Sequence, residues 1–413
     1  MPRERCVLVA VSLPALPPHE AEENLDELAE LVDTAGSEVV QRFVQPRDKV
    51  DAATFVGEGK AREIAAFCRA QKVGAVVFDD DLSPAQVRNL EKTLERKVLD
   101  RTGVILDIFA RRARSREAKT QVELAQYTYL LPRLTRAWTH LSRQAGGIGT
   151  RGVGETQLET DRRVIRKRIA KLGETLEAIA SHREVQRRRR RDTFEAALVG
   201  YTNVGKSSLL NRLTSARVFV EDRLFATLDT TFRRMPLEEL RQEVLLIDTV
   251  GFIRKLPHHL VASFRSTLEQ VKEADLVLHV VDASHPRFEE HAAATRQVLA
   301  ELGLDEVPVL TVLNKMDRAP EGLMSRALGL YPDALAVSAA TGEGLEALKA
   351  AVGREAARAL AGTEILIPYS RWPDFLALRR RLRILSERYE DKAVRVTLRG
   401  RPEDLDRARA LSR

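Results

Sequence analysis

The sequence predicts an α/β protein: a doubly wound sheet, preceded by a smaller parallel α/β domain and a basic helical hairpin, with a small α+β tail behind it. Three observations predict it. Strand-like and helix-like segments alternate through residues 1–110, as a parallel sheet requires. Residues 111–191 hold 21 Lys/Arg against 8 Asp/Glu, a net of +13, within two long helical patterns. Residues 200–207 read Gly-Tyr-Thr-Asn-Val-Gly-Lys-Ser, between an apolar strand and leucines at helical spacing.

In residues 1–110, Val7–Ser12, Glu38–Val44 and Ala75–Asp79 read as strands. Glu20–Asp33, Ala61–Arg69 and Pro84–Glu95 read as the helices between and after them. The apolar run Cys6 to Val11 follows a short charged start, as a signal peptide would. Glu4, Pro14 and the acidic segment Glu20 to Glu30 argue instead for a buried first strand. No apolar stretch approaches the roughly 18 residues of a membrane helix. The two cysteines, Cys6 and Cys68, form neither a zinc spacing nor a disulfide framework, so a reducing, cytoplasmic setting is expected. Gly57-Glu58-Gly59-Lys60 looks like half a phosphate loop. Thr54 at the first glycine position and Ala61 after the lysine make it a helix-opening turn.

Residues 111–193 read as a basic antiparallel hairpin of Ser115–Leu131 and Glu159–Gln186. On the second helix Ile165, Ile169, Leu172, Leu176 and Ile179 form a four-three seam. Arg162, Arg163, Arg166, Lys167, Arg168 and Lys171 lie mostly off it. The connection, residues 146–154, holds five glycines in nine residues. Its Gly-x-Gly-x-x-Gly string follows no strand, so a dinucleotide site is a poor reading. A plain hairpin turn and a loop that approaches RNA phosphate both fit. Arg187 to Arg191 are consecutive. Net charge is +7 overall, so the remainder of the chain carries 7 − 13 = −6. Such segregation points to a polyanion held at the hairpin, with no feature that reads DNA sequence.

Residues 194–361 form the nucleotide domain. Gly200, Tyr201, Thr202, Asn203, Val204, Gly205, Lys206 and Ser207 fit the phosphate-loop pattern without a mismatch, after the strand Ala196–Val199. Backbone N–H groups and the helix N-terminus favour an anion there. Lys206 is expected at the β- and γ-phosphates and the Ser207 hydroxyl on Mg²⁺. Asn314-Lys315-Met316-Asp317 then selects the base. Asp317 can accept from guanine N1–H and its amino group, and adenine would leave it unpaired. Asn314 can tie this loop to the phosphate loop. Ser338, Ala339 and Ala340 follow, with backbone placed for guanine O6. Asp248, Thr249, Val250 and Gly251 lie at the end of another apolar run, Val244–Ile247. Asp248 is expected to hold Mg²⁺ through water and the Gly251 amide to sense the γ-phosphate. Between these motifs, Phe225, Ala226, Thr227, Leu228 and Asp229 form a nucleotide-facing segment. Thr227 is the expected third oxygen on Mg²⁺, with Thr230 and Thr231 as alternatives. Lys206, Thr227 and Gly251 are the expected catalytic set. Phe252 stands where many GTPases place a water-orienting glutamine. Every motif follows an apolar run, which defines a P-loop GTPase sheet with ligands at its strand ends. An RNA-binding module with a passive nucleotide is the other class compatible with these strings.

Residues 362–413 suggest a strand Ile365–Pro368, an arginine-rich helix Pro373–Glu387 and a strand Ala393–Leu398, a small α+β appendage.

Strings outside the GTPase motifs are more specific. Asp81-Leu82-Ser83-Pro84-Ala85-Gln86 with Arg88-Asn89-Leu90-Glu91 resembles the HflX family. So do Asp100-Arg101-Thr102-Gly103 with Ile105-Leu106-Asp107-Ile108-Phe109, and Gly152-x-Gly154-Glu155-Thr156-Gln157-Leu158-Glu159. The match covers roughly residues 1–360, with Val153 where the family usually has proline. The resemblance implies a monomeric cytoplasmic GTPase that binds the large ribosomal subunit and separates stalled ribosomes into subunits. Its N-terminal domain and hairpin would meet ribosomal RNA. The alternative it leaves open is a ribosome-assembly or RNA-remodelling protein that also uses ATP through its N-terminal region, where no phosphate loop is visible. An assembly GTPase of the Era type would carry a KH domain, and its Gly-x-x-Gly loop is missing from residues 362–413.

Overall fold

The first apolar run becomes strand β1 (Glu4–Ser12), buried from Cys6 onward, because it is an inner strand with both faces covered. It pairs in parallel with β2 (Ser37–Pro46) and β3 (Ala75–Phe78), and β3 pairs in parallel with β4 (Lys97–Asp100). The sheet order is β2-β1-β3-β4. Helices α1 (Pro18–Thr34) and α4 (Arg101–Arg112) cover one face. Leu25, Leu28, Leu31, Ile105 and Phe109 meet Leu8, Ala10 and Val77 there. Helices α2 (Glu58–Ala70) and α3 (Pro84–Leu94) cover the other with Ile64, Leu90 and Leu94 against Val7, Val9 and Phe78. Gly57 is the residue that opens α2, as the turn reading expects. Ser83 opens α3 with a complete capping box: Gln86 N–H donates to Ser83 Oγ at 3.2 Å, and Ser83 N–H to Gln86 Oε1 at 2.9 Å.

The computed structural model describes residues 3–134, 153–188, 193–214, 223–237, 242–255, 257, 271–301, 303, 307–360, 363–379, 382–399 and 402–412. Residues 146–152 of the glycine-rich connection and Arg189–Arg191 lie outside them. The hairpin is α5 (Arg116–Leu130) and α6 (Val153–Arg188). Leu172 is buried at the centre of the expected seam, while Arg163, Arg166, Lys167 and Lys171 are exposed. Arg168 bridges back to Glu123 of α5 at 2.6 Å. Val153 is the first residue of α6, the position where proline is also at home.

The second sheet has the order β10-β9-β8-β5-β7-β6. Its strands are β5 (Phe194–Gly200), β6 (Thr231–Leu237), β7 (Gln242–Asp248), β8 (Leu276–Asp282), β9 (Val309–Asn314) and β10 (Leu335–Ala336). All pair in parallel except β6, which runs antiparallel to β7 at the edge. Neighbouring residues of β5 serve different cores. Ala196 and Leu198 join Leu209, Leu210 and Leu213 of α7 (Lys206–Thr214), while Ala197 and Val199 join Phe252 and Leu299 on the opposite face. Helices α8 (Phe288–Glu301), α9 (Glu321–Leu330) and α10 (Leu345–Leu360) complete the wrapping.

One apolar cluster runs from the first sheet through α5 into the second, with Phe109 packed edge-on against Phe225 at 4.8 Å. Beside it lies a charged junction. Arg101 is buried and donates to Asp79 at 2.7 Å and to Glu27. Glu27 also accepts from the Tyr201 hydroxyl, and Lys255 reaches Asp79 and Asp80 at 2.5 and 2.6 Å. Removing one partner from a buried ion cluster leaves uncompensated charge, at about 3–5 kcal/mol. Arg101→Met is therefore expected to lower unfolding free energy on that scale in urea titration, far more than Arg163→Met on the exposed hairpin face. Equal effects would refute the junction's role.

The tail differs from expectation in two elements, a strand in place of the end of the helix and a further helix after the last strand. Residues 383–387 are not the end of an arginine-rich helix. The helix is short, α11 (Trp372–Leu378), and β12 (Arg383–Tyr389) follows. Antiparallel pairing of β12 with β13 (Ala393–Arg399) overrides the helix propensity of the arginines. β11 (Thr363–Pro368) pairs with the other edge of β13, and α12 (Pro402–Ala410) closes this small α+β unit.

Candidate nucleotide site

The loop after β5 has no room for side chains at its glycines. A Cβ on Gly200 would lie 2.2 Å from the Val280 carbonyl oxygen, and one on Gly205 would lie 2.4 Å from Asn314 Nδ2. Gly205 also has φ +92, which other residues rarely adopt. Helix α7 begins at Lys206, so its first N–H groups face the loop. Lys206 is buried, and its Nζ donates to the carbonyls of Gly200 at 3.1 Å and Tyr201 at 2.7 Å. Loss of water brings the Lys206 pKa down to about 8 despite the neighbouring Asp248. Burial likewise pushes the Asp248 carboxyl above its usual range, against the hydrogen bond from Ser207. A cation beside Asp248 and an anion beside Lys206 would relieve both.

Three expected metal oxygens converge. Ser207 Oγ donates to Asp248 Oδ2 at 2.6 Å and lies 2.8 Å from Thr227 Oγ1. The other carboxylate oxygen of Asp248 is buried with no hydrogen-bond partner among the described residues. Of the three threonines considered, Thr227 is the one at Ser207, whereas Thr231 opens β6. Such a set of hard oxygens, one of them unsatisfied, fits Mg²⁺.

The base end is tied to the loop. Asn314 Nδ2 donates to the Val204 carbonyl at 2.7 Å, and Asn314 Oδ1 accepts from Ala339 N–H at 3.0 Å. Asp317 Oδ1 accepts from Ser338 Oγ at 2.6 Å. Lys315 pairs with Asp282 at 2.7 Å. Thr202, Asn203, Gly205, Lys206, Ser207, Phe225, Ala226, Thr227, Thr249, Gly251, Asn314, Lys315, Asp317, Ala339 and Ala340 line one cavity of about 350 Å³.

Other predicted residues sit behind that wall. The Tyr201 ring stacks on His291 at 3.9 Å, and its hydroxyl accepts from Arg254 N–H at 2.7 Å. Val204, Leu228 and Val250 are buried in the shared core. Met316 N–H donates to the Val337 carbonyl at 3.2 Å, which shapes the turn before Asp317. Asp229 points to the hairpin: its carboxylate accepts from Arg114 N–H at 2.8 Å and from the Ser115 hydroxyl, at the start of α5. Sequence reasoning missed Arg212 and Asp282. Arg212 on α7 donates to the Ala339 carbonyl at 3.0 Å and to that of Ala340, holding the loop expected at guanine O6. Its partners are backbone atoms 127 and 128 residues away, so no local signal marks it. Asp282 could have been found, because it ends the apolar run Leu276–Val281 as Asp248 ends Val244–Ile247.

A phosphate loop, a buried acid on the next strand and a guanine-type Asn-Lys-x-Asp turn at the carboxyl ends of one doubly wound sheet define a P-loop GTPase. The chain matches family models described as GTP-binding GTPase N-terminal over residues 22–110, GTP-binding GTPase Middle Region over 112–190 and 50S ribosome-binding GTPase over 195–315. GTPase HflX of Caldanaerobacter subterraneus subsp. tengcongensis is 45% identical over 396 residues, covering 95% of this chain and 90% of that one. GTPase HflX of Escherichia coli K12 is 50% identical over 330 residues, covering 79% and 77%. Among solved structures, a GTP-binding protein from Sulfolobus solfataricus in complex with GDP is 24% identical, covers 86% of this chain and 99% of that one, and has a TM-score of 0.45. The chain belongs to the GTPase HflX family, GTP-hydrolysing proteins of the ribosome-binding class. Among the described residues, no helix is long and apolar enough to cross a membrane.

Proposed function

We propose that this GTPase binds the large ribosomal subunit through residues 111–191 and, as a cytoplasmic monomer charged with GTP, separates stalled ribosomes into subunits. Ser207, Thr227 and Asp248 would hold Mg²⁺, which supplies charge neutralisation on the β- and γ-phosphates. Lys206 would hold the same phosphates from the loop side, and the Gly251 amide would meet the γ-phosphate. Asp317 would read the guanine edge, with Asn314 and residues 338–340 closing over it.

The observation that carries ribosome binding is the face of α6 with Arg163, Arg166, Lys167 and Lys171 exposed off the packed seam. Cations spaced along an exposed helix face suit a phosphate backbone. Asp229 gives that hairpin a link to the nucleotide. It lies two residues after Thr227 and accepts hydrogen bonds from Arg114 N–H and the Ser115 hydroxyl at the start of α5. A shift of Thr227 onto Mg²⁺ and γ-phosphate would pull on that anchor and change how the hairpin meets RNA.

Affinity for isolated large subunits should fall steeply with salt, each neutralised phosphate adding about 0.7–0.9 to the log–log slope. Replacing Arg163, Arg166, Lys167 and Lys171 by Gln should flatten the slope by roughly one for every phosphate left without its cation, and should leave GTP affinity unchanged. Sedimentation with GTP or GDP checks both. Binding that is independent of salt, or abolished only when residues 362–413 are removed, would sink the assignment.

A further inference from the structure

The nucleotide cavity holds a buried hydroxyl without a hydrogen-bond partner among the described residues. Thr202 lines the cavity and is only 5% exposed. Its Oγ1 is buried and makes no hydrogen bond. A buried hydroxyl left unpaired is costly, and such atoms in native proteins call for an explanation. Its position supplies one. An added Cβ on Gly251 would lie 2.8 Å from the Thr202 Cα and Cγ2 and 3.1 Å from Lys206 Nζ. Thr202 therefore packs directly against Gly251, beside the loop lysine.

The backbone fixes it there. Thr202 N–H donates to the Phe252 carbonyl at 2.7 Å, and Phe252 N–H donates to the Gly200 carbonyl at 3.1 Å. This short parallel bridge ties the phosphate loop to the segment after Gly251. The same bridge explains what Phe252 does not do. Its ring is 2% exposed, packed with Val199, Ile247, Val271 and Val277 beneath the sheet. No side-chain amide stands where a glutamine would orient water. Thr202, a cavity-lining residue packed on Gly251, carries the unpaired hydroxyl.

We propose that the Thr202 hydroxyl is a catalytic group of this GTPase, accepting a hydrogen bond from the attacking water and donating one to a γ-phosphate oxygen. A hydroxyl has one donor and two acceptor sites, so it can do both at once. In the step it assists, the water oxygen bonds to the γ-phosphorus. The bond from that phosphorus to the bridging oxygen breaks, and its electron pair stays on GDP. The water's proton leaves with the phosphate product, and Thr202 is unchanged. The proposal rests on GTP hydrolysis at this cavity and is independent of ribosome binding.

Thr202→Val keeps the shape and removes the hydroxyl, whereas Thr202→Ser keeps the hydroxyl. Single-turnover hydrolysis by the full chain without ribosomes, fluorescent-GDP affinity and the thermal midpoint would be measured on both. The Val variant should hydrolyse GTP about 10²-fold more slowly, the scale set by loss of one preorganised donor. Its GDP affinity should be unchanged and its midpoint no lower, since an unsatisfied atom has been removed. The Ser variant should stay near the parent rate. A Val variant as fast as the parent would overturn the proposal. So would a Ser variant as slow as Val, or a loss of GDP affinity in step with the rate, which would make Thr202 a packing residue of the loop.

Discussion

Asp317→Asn should convert the guanosine site into a xanthosine site, with GTP and GDP affinity falling on the order of 10³-fold or more and xanthosine nucleotides gaining. The carboxylate is the atom pair that matches two guanine donors, and an amide replaces one acceptor with a donor. That donor suits the 2-oxo group of xanthine and faces the amino group of guanine. The surrounding turn should survive the change. Ser338 Oγ, 2.6 Å from Asp317 Oδ1, can donate to an amide oxygen as well. Asn314 continues to bridge Val204 and Ala339, and Arg212 continues to hold the 339–340 carbonyls. The effect is therefore on base choice and not on loop order. Titration with fluorescent GDP and XDP measures it directly, and unchanged GDP affinity would remove Asp317 from the base site.

The nucleotide cavity was legible because its chemistry is local. A loop that wraps phosphate needs Gly200 and Gly205 at fixed spacing, and Asn314 and Asp317 lie on one turn beside it. Convergence of Ser207, Thr227 and Asp248 followed from strand order, since β5 and β7 are neighbours. The first sheet was legible where strands were buried and long. β4 was missed because Lys97–Asp100 is a four-residue edge with only two buried side chains. Helix α4 was missed with it, and it runs two residues past the expected boundary at 110. Arg101 shows the deeper limit. In sequence it looks like a surface arginine, and the family string around it gave no role. Its burial comes from Glu27 and Asp79, 74 and 22 residues away, brought together only by the packed sheet. β12 shows the converse. Its arginines favour a helix locally, and a partner strand ten residues on decides otherwise.

GTP turnover should be slow for the isolated chain and rise roughly 10³-fold or more on the large ribosomal subunit, the scale reached when a catalytic group arrives in trans. The reason lies at Phe252. With its ring in the apolar layer under the sheet, Phe252 brings no polar side chain to the attacking water. Thr202 can hold that water but has no charge to stabilise the transition state. Phe252→Gln should not repair the deficit. The amide would enter the space of Val199, Ile247 and Val277, where it costs about 1–3 kcal/mol unpaired. Fold stability should drop while basal hydrolysis stays slow. Lys206→Ala should abolish turnover with or without ribosomes, because no other cation among the cavity-lining residues lies within the phosphate loop. The Lys255 contacts to Asp79 and Asp80 would give subunit binding, as proposed, a physical route to the site. They tie Lys255, four residues after Gly251, to the first sheet, so an RNA contact that shifted that sheet would pull on this segment. Single-turnover assays with and without large subunits decide the matter, and a fast basal rate that ribosomes leave unchanged would refute it.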